Sequence, residues 1–318
     1  AVNGTISIGD LTFLSGSLLR LNGLFERLTT GLTQIAAQTA YLDDLFSFFD
    51  TEPTLASPAV PKPFPAPIRH GIAFENVGFR YPGKESWAVR DLSFTLKAGE
   101  TLALVGENGA GKTTIVKLLT RLYDPNEGRI TIDGIDLKDF NVDDLRAHVG
   151  AIFQDFMRFN FTAGQNIGVG LVEEIDNEAR VAAAAKDSLA DQVIARMPEG
   201  YGQMLGRGFA FGFDLSGGEW QKLAIARAYF RDAEVLILDE PTAALDARAE
   251  AGVFDRFRNL SAAKSTLLIS HRFTTVRMAD RILVLENGGI IESGNHAELI
   301  ALGGRYAELF ELQAEGYR

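Results

Sequence analysis

The stretch Val105-Gly106-Glu107-Asn108-Gly109-Ala110-Gly111-Lys112-Thr113-Thr114 constrains this chain more than any other. It follows an apolar run, Thr101 to Val105, and precedes an apolar-periodic one, Ile115 to Leu122, which reads as strand, tight glycine loop, helix. Gly106, Gly111, Lys112 and Thr113 match the spacing in which glycines let backbone N–H groups turn inward around phosphate oxygens. The helix opening at Lys112 adds its positive dipole end. In that pattern the lysine reaches the β- and γ-phosphates and the threonine hydroxyl ligates Mg²⁺. The alternative, a merely flexible glycine turn, leaves the flanking strand and helix unexplained.

Composition narrows the partners. A chain of 318 residues has room for one globular body and an appendage, and 46% hydrophobic with 23% charged residues is the balance of a folded protein. A formal net charge of −11 without a Lys/Arg run argues against a nucleic-acid partner. The absence of cysteine excludes disulfides, thiolate metal sites and cysteine nucleophiles, and suits a reducing compartment. The chain begins Ala1-Val2-Asn3-Gly4 with neither a basic n-region nor Met, so no secretory signal is expected and the start reads as that of a fragment or a processed chain.

Apolar or near-apolar residues from Leu11 through Leu14, Leu18, Leu21, Phe25, Leu28, Leu32, Ile35, Thr39, Leu42 and Phe46 to Phe49 alternate three and four apart, one face of a very long helix. Ile6 to Leu19 is interrupted by Asp10 and closed by Arg20, short of the ~18 apolar residues of a membrane span. Yet Thr12, Ser15, Gly16 and Ser17 are of the small type found between membrane helices. By pattern alone both a partner-packing helix and a membrane helix with an extension stay open. Residues 51–70, with six prolines from Pro53 to Pro67, read as an extended linker and the domain boundary.

Ile72 to Tyr81 and Trp87 to Leu96 alternate as antiparallel strands around Pro82-Gly83. Tyr81 offers an aromatic face that could stack on an adenine ring, although a strand-end tyrosine alone is usually packing. Gly128 to Ile132 and Val149 to Phe153 are further strands, the second ending at Gln154, where an amide oxygen could meet Mg²⁺ or water. Val172 to Ala195 reads as helix. Leu215-Ser216-Gly217-Gly218-Glu219 opens another helix, with Ser216 as N-cap and two glycines exposing N–H groups: a second anion site, or ordinary capping. Val235 to Leu238 reads as a strand buried on both faces that delivers Asp239 and Glu240, suited to hold Mg²⁺ through water and to act as general base. Leu267 to Ser270 is another buried strand, with His271 at its end. Arg281 to Glu292 reads as a hairpin about Asn287-Gly288, and His296 to Leu312 as one final packing helix.

The Lys112 loop, Gln154, Leu215-Ser216-Gly217-Gly218, Val235 to Pro241 and His271, in this order and spacing, resemble the nucleotide-binding domain of an ABC transporter over about residues 72–300. The resemblance implies an α/β P-loop NTPase core with an antiparallel β subdomain and an inserted helical subdomain at about 155–230, within an ATPase domain of residues 71–318. It implies ATP and Mg²⁺ as ligands. Tyr81, Gly106, Asn108, Gly109, Ala110, Gly111, Lys112, Thr113 and Thr114 would bind nucleotide; Thr113, Gln154 and Asp239 the metal. Glu240, His271, Lys112 and Gln154 would be catalytic. It further implies a sandwich of two such domains, in which Ser216, Gly217 and Gly218 serve the partner's γ-phosphate and Ala244-Leu245-Asp246 crosses between subunits.

Residues 1–50 resemble, more loosely, the last transmembrane helix and cytoplasmic extension of an exporter whose membrane and ATPase parts share a chain; the resemblance tips that segment toward a membrane helix. The preceding helices are missing here, and the expected location is the cytoplasmic face of the cell (inner) membrane. Two features depart from the family. Glu219 stands where Gln is usual, adding negative charge near the expected interface, and Gly206 to Asp214 lacks the usual acidic pattern. The expected function is thus the ATP-hydrolysing motor of an exporter. An ATP-gated dimeriser is a second reading, opposed by the lack of a tandem ATPase domain or coiled-coil arms. A dinucleotide oxidoreductase is a third, opposed by Lys112-Thr113.

Overall fold

The computed structural model describes residues 7–315 except Gln154, Arg207, Phe209, Ala210, residues 241–260, Ala262, Ala263 and His271. It divides into two compact units, Ala1–Thr54 and Leu55–Arg318.

The first unit is one helix, α1 (Ile8–Phe49), 42 residues long. Ser7 starts it: its hydroxyl accepts from Asp10 N at 3.1 Å while Ser7 N donates to the Asp10 carboxylate at 3.0 Å, a reciprocal cap that satisfies two orphan donors. The stripe Leu14, Leu18, Leu21, Phe25, Leu28 and Leu32 is more than half exposed. The segment was expected to contain a transmembrane helix, yet among the described residues no helix is long and apolar enough to cross a membrane. Asp10, Arg20, Glu26 and Arg27 fall within the first half of α1 and break its apolar character.

Among the described residues the second unit has two sheets. Strands β1 (Gly71–Phe79), β2 (Val89–Lys97), β4 (Glu127–Ile132) and β5 (Ile135–Asp136) pair antiparallel in the order β2-β1-β4-β5. Strands β3 (Thr101–Val105), β6 (Val149–Ile152), β7 (Val235–Asp239), β8 (Ser265–Ile269), β9 (Arg281–Glu286) and β10 (Gly289–Gly294) form the other, ordered β10-β9-β3-β8-β7-β6. All its pairings are parallel except the β9–β10 hairpin. Its central strands are apolar on both faces, and alternation sorts them. Leu102, Leu104, Ile237 and Ile269 join the core shared with the antiparallel sheet, whereas Ala103, Val105, Leu236, Leu238 and Leu268 face a core closed by Leu299 and Tyr306.

Among the described residues its α-helices are α2 (Lys112–Leu119), α3 (Val142–Ala147), α4 (Ala163–Gly168), α5 (Glu178–Ser188), α6 (Asp191–Ile194), α7 (Gly217–Arg231), α8 (Phe273–Val276), α9 (His296–Leu302) and α10 (Arg305–Glu315). A third core, with Ile167, Val181, Ala185, Leu223 and Phe230, holds α4, α5, α6 and α7 together as the expected helical insertion. Two helices expected as single pieces are broken. Val172 to Ala195 is interrupted where Asn177 caps α5 and where Leu189 turns left-handed at φ 64. His296 to Leu312 is split at Gly303, φ 66, into α9 and α10. The proline-rich stretch carries no helix or strand, as its composition predicts, but it is not a free tether: Phe64 and Ile68 are buried and Phe64 stacks on His148 at 4.2 Å.

Candidate functional site

Gly106 sits where β3 stops and the chain turns, at φ 156, and a Cβ there would lie 2.3 Å from Leu285 O. Gly111, the N-cap of α2, has φ 103 and no side-chain cap, and its missing Cβ would meet Val89 at 2.6 Å. These two positions therefore require glycine, and the opening turn of α2 carries N–H groups that no capping side chain covers. Lys112 is 7% exposed, and its Nζ donates to Gly106 O at 2.6 Å and Glu107 O at 2.9 Å. Burial holds its ammonium below the usual lysine range, opposed by the carboxylates of Glu240 and Asp239.

Those two acids arrive from β7. Asp239 is 8% exposed, and burial, reinforced by Glu240, pushes its carboxyl up to about 6, with Lys112 pulling the other way. Glu240 N donates to Ile269 O at 2.8 Å, and the residue has φ 49, a left-handed backbone unusual for a side chain of this kind. Strain of this sort collects where a side chain must be aimed.

A cavity of about 310 Å³ unites these groups: Tyr81, Asn108, Gly109, Gly111, Lys112, Thr113 and Thr114 on one side, Asp239 and Glu240 on the other. Tyr81 OH lies 3.1 Å from Thr114 Oγ1, and Lys117 Nζ lies 5.1 Å from the centre of its ring. Gly106 and Ala110 line the neighbouring cavity behind the loop instead. Gln154, His271 and the segment Ala244-Leu245-Asp246 lie outside the described residues. Residues able to hold a divalent cation are present, since the Thr113 hydroxyl and the buried Asp239 carboxylate are hard oxygen donors beside the phosphate loop.

Ser216, Gly217 and Gly218 do not line this cavity. They open α7, where Ser216 N and Oγ both donate to Glu219 Oε2 at 2.9 Å and Glu219 N donates back to Ser216 Oγ at 3.4 Å. Arg196 pairs with the other oxygen of Glu219. Burial pushes the Glu219 carboxyl up, but the hydrogen bonds from Ser216 and Arg196 outweigh it and hold the group below the usual range. The negative charge of Glu219 is thus engaged by Ser216 and Arg196 of the same chain. The signal was present in the Ser-x-x-Glu spacing of a capping box.

Three further residues escaped sequence reasoning. Arg227, on α7, donates to Asn166 O at 2.6 Å, Asn166 Oδ1 at 2.7 Å and Met157 O at 2.6 Å, and burial pushes its guanidinium down to about 10. It bolts the Ser216 helix to α4 and to the segment just after Gln154. Glu107 and Arg305 pair across the phosphate loop and α10.

The ABC transporter family model matches residues 89–243. The chain is 39% identical over 309 residues to the ATP-dependent lipid A-core flippase of Thiobacillus denitrificans, covering 97% of this chain and 52% of that protein. It is 36% identical over 311 residues to the subtilin transport ATP-binding protein SpaT of Bacillus subtilis, covering 98% of this chain and 50% of that one. The structure of a bacterial Atm1-family ABC exporter with ATP bound superposes with a TM-score of 0.81 at 37% identity, over 97% of this chain and 53% of that chain. The chain therefore spans about half the length of the relatives it matches. Residues 89–243 thus carry the ABC transporter domain, and motif order, paired sheets and a likeness to ABC transport proteins over 97% of the chain agree with it.

Proposed function

We propose that this chain is the ATP-binding and ATP-hydrolysing motor of an ABC exporter, working as one of two such domains on the cytoplasmic face of a membrane. One observation carries the reading: Asp239 at the end of β7, the adjoining Glu240 and the Lys112-Thr113-Thr114 start of α2 line the same cavity. A phosphate entering it would take the Lys112 ammonium from the Gly106 and Glu107 carbonyls and meet the uncapped turn of α2. Tyr81 would support the adenine. Thr113 and Asp239, with Gln154, would hold the magnesium of Mg-ATP, which supplies charge neutralisation at the phosphates. Glu240 would take a proton from the attacking water as its oxygen bonds to the γ-phosphorus; the bond to the β–γ bridging oxygen breaks, leaving ADP and phosphate. His271 would contact the γ-phosphate.

Ser216, Gly217 and Gly218, which do not line this cavity, would face the γ-phosphate held by the second ABC ATPase domain, so that ATP joins the two and hydrolysis parts them. We read α1 as the piece of a membrane domain that leads into the ATPase domain, its exposed stripe covered by the other helices of that domain. Steady-state ATPase activity tests the proposal. Activity abolished by Lys112→Ala and by Glu240→Gln supports it; wild-type binding of Mg-ATP without turnover would sink it.

A further inference from the structure

We propose that Arg305 is a positioning residue for the phosphate loop: it turns the Glu107 carboxylate to the rear of the loop and neutralises it, so that the cradle faces nucleotide without a competing anion. The inference rests on the nucleotide reading of the 310 Å³ cavity.

The loop is a thin wall. Asn108 and Gly109 line both the larger cavity and a smaller one of about 110 Å³ behind it. Glu107 lines only the rear cavity, together with Glu286 and Arg305. There the guanidinium of Arg305 pairs with Glu107, reaches Glu308 at 2.9 Å and lies 3.5 Å from Glu286. Glu107 is also the residue whose carbonyl receives Lys112 Nζ at 2.9 Å, so its peptide is part of the resting cradle while its side chain points to Arg305.

Arg305 can hold this position because its own backbone is fixed. Arg305 N and Tyr306 N donate to the two oxygens of Glu292 at 2.5 and 3.1 Å. The next residue, Tyr306, is fully buried, with its hydroxyl 2.8 Å from His296 Nδ1. The same helix reaches the segment that follows His271: Gln313 Oε1 accepts from Phe273 N at 3.1 Å, and Phe310 packs edge-on against Phe273 at 5.1 Å. The final helix, expected only to pack, thus presents a guanidinium at a set height behind the phosphate loop. An exposed ion pair contributes little to folding. Its consequence is electrostatic: a Glu107 released from Arg305 would set a carboxylate beside a ligand with several negative charges.

The test measures Mg-ATP affinity in the Glu240→Gln background of the full chain, so that turnover does not intrude. Arg305→Ala is expected to weaken binding about five- to tenfold, an effect that shrinks at high salt. Adding Glu107→Gln should restore affinity to within about twofold, because the released charge is gone. Wild-type affinity in Arg305→Ala, or a double variant as weak as Arg305→Ala alone, would overturn the proposal, the second result marking a merely structural role. Melting of the nucleotide-free proteins separates folding from binding, and Arg305→Gln replaces Arg305→Ala should the latter not fold. Lys112→Ala serves as the control. If it binds as wild type, the nucleotide reading itself fails; if it loses binding while Arg305→Ala does not, only the role of Arg305 fails.

Discussion

Two helices of this domain open on glycine motifs, and they treat their exposed N–H groups in opposite ways. Helix α2 starts at Gly111 with no capping side chain, and the nearby charge, Lys112, is cationic and parked on carbonyls of its own loop. Helix α7 starts at Ser216 with a complete reciprocal cap, and its nearby charge, Glu219, is anionic and paired with Arg196. Both motifs look like anion sites in sequence. Only the first is left open by its own side chains, as the proposed phosphate site requires. The second already holds a carboxylate at its N-terminus, which is why we propose that Gly217 and Gly218 meet only a phosphate held by a second ATPase domain.

The largest effects should fall on the open site. Lys112→Ala and Glu240→Gln are each expected to lower ATP turnover about a hundredfold or more, read as steady-state phosphate release. A variant of either that turns over normally would remove the basis for treating α2 as the catalytic end.

Next comes the anchor of the closed site. Arg227→Ala leaves Asn166 O, Asn166 Oδ1 and Met157 O without their charged donor and should destabilise the domain by about 3 kcal/mol in urea unfolding. A loss as small as that of a surface arginine would show that α7 is not held through this contact.

Asp239→Asn should do the reverse: abolish turnover yet stabilise the nucleotide-free protein by about 1–2 kcal/mol at pH 7, allowing for water in the cavity. The sign follows from a carboxyl raised to about 6 in the folded chain from 3.8, which costs stability as pH rises from the lower value through the upper. The gain should disappear below pH 4, where Asp239 is protonated in both states.

Smallest are the changes within the cap itself. Ser216→Ala should cost about 1 kcal/mol. Glu219→Gln can keep the box and loses only the Arg196 pair, about 0.5 kcal/mol. Because the Glu219 carboxyl is held low in the fold, that contribution is present at neutral pH and is lost as pH falls through the lowered value. A larger cost for Glu219→Gln than for Ser216→Ala would mean that the ion pair, not the box, closes α7.

The open site was legible because its chemistry is local. A glycine loop between a buried strand and a helix fixes Gly106, Gly111, Lys112 and Thr113 within a few residues, and four apolar residues before Asp239 announce a central strand. What could not be read was set by partners distant in sequence. Glu107 meets Arg305 from 198 positions away, and Arg227 meets Asn166 from 61. The left-handed turn at Glu240 carries no glycine to announce it. The split of the last helix was visible in Gly303-Gly304, yet the unbroken apolar spacing on either side masked it. For α7 the local signal competes with the family pattern: Glu219 departs from the usual glutamine and is also the third helical residue of the Ser216 cap.

The central proposal is that one site per chain takes nucleotide alone and the other acts only on nucleotide held by a second ABC ATPase domain, which another copy of this chain can supply. Native mass and bound ATP of the Glu240→Gln protein, with and without saturating Mg-ATP, test it most directly. The account predicts one ATP per chain and an ATP-dependent dimer, with Ser216→Ala losing the dimer but keeping the nucleotide. A chain that remains monomeric at saturating Mg-ATP, or that binds two ATP by itself, would contradict it.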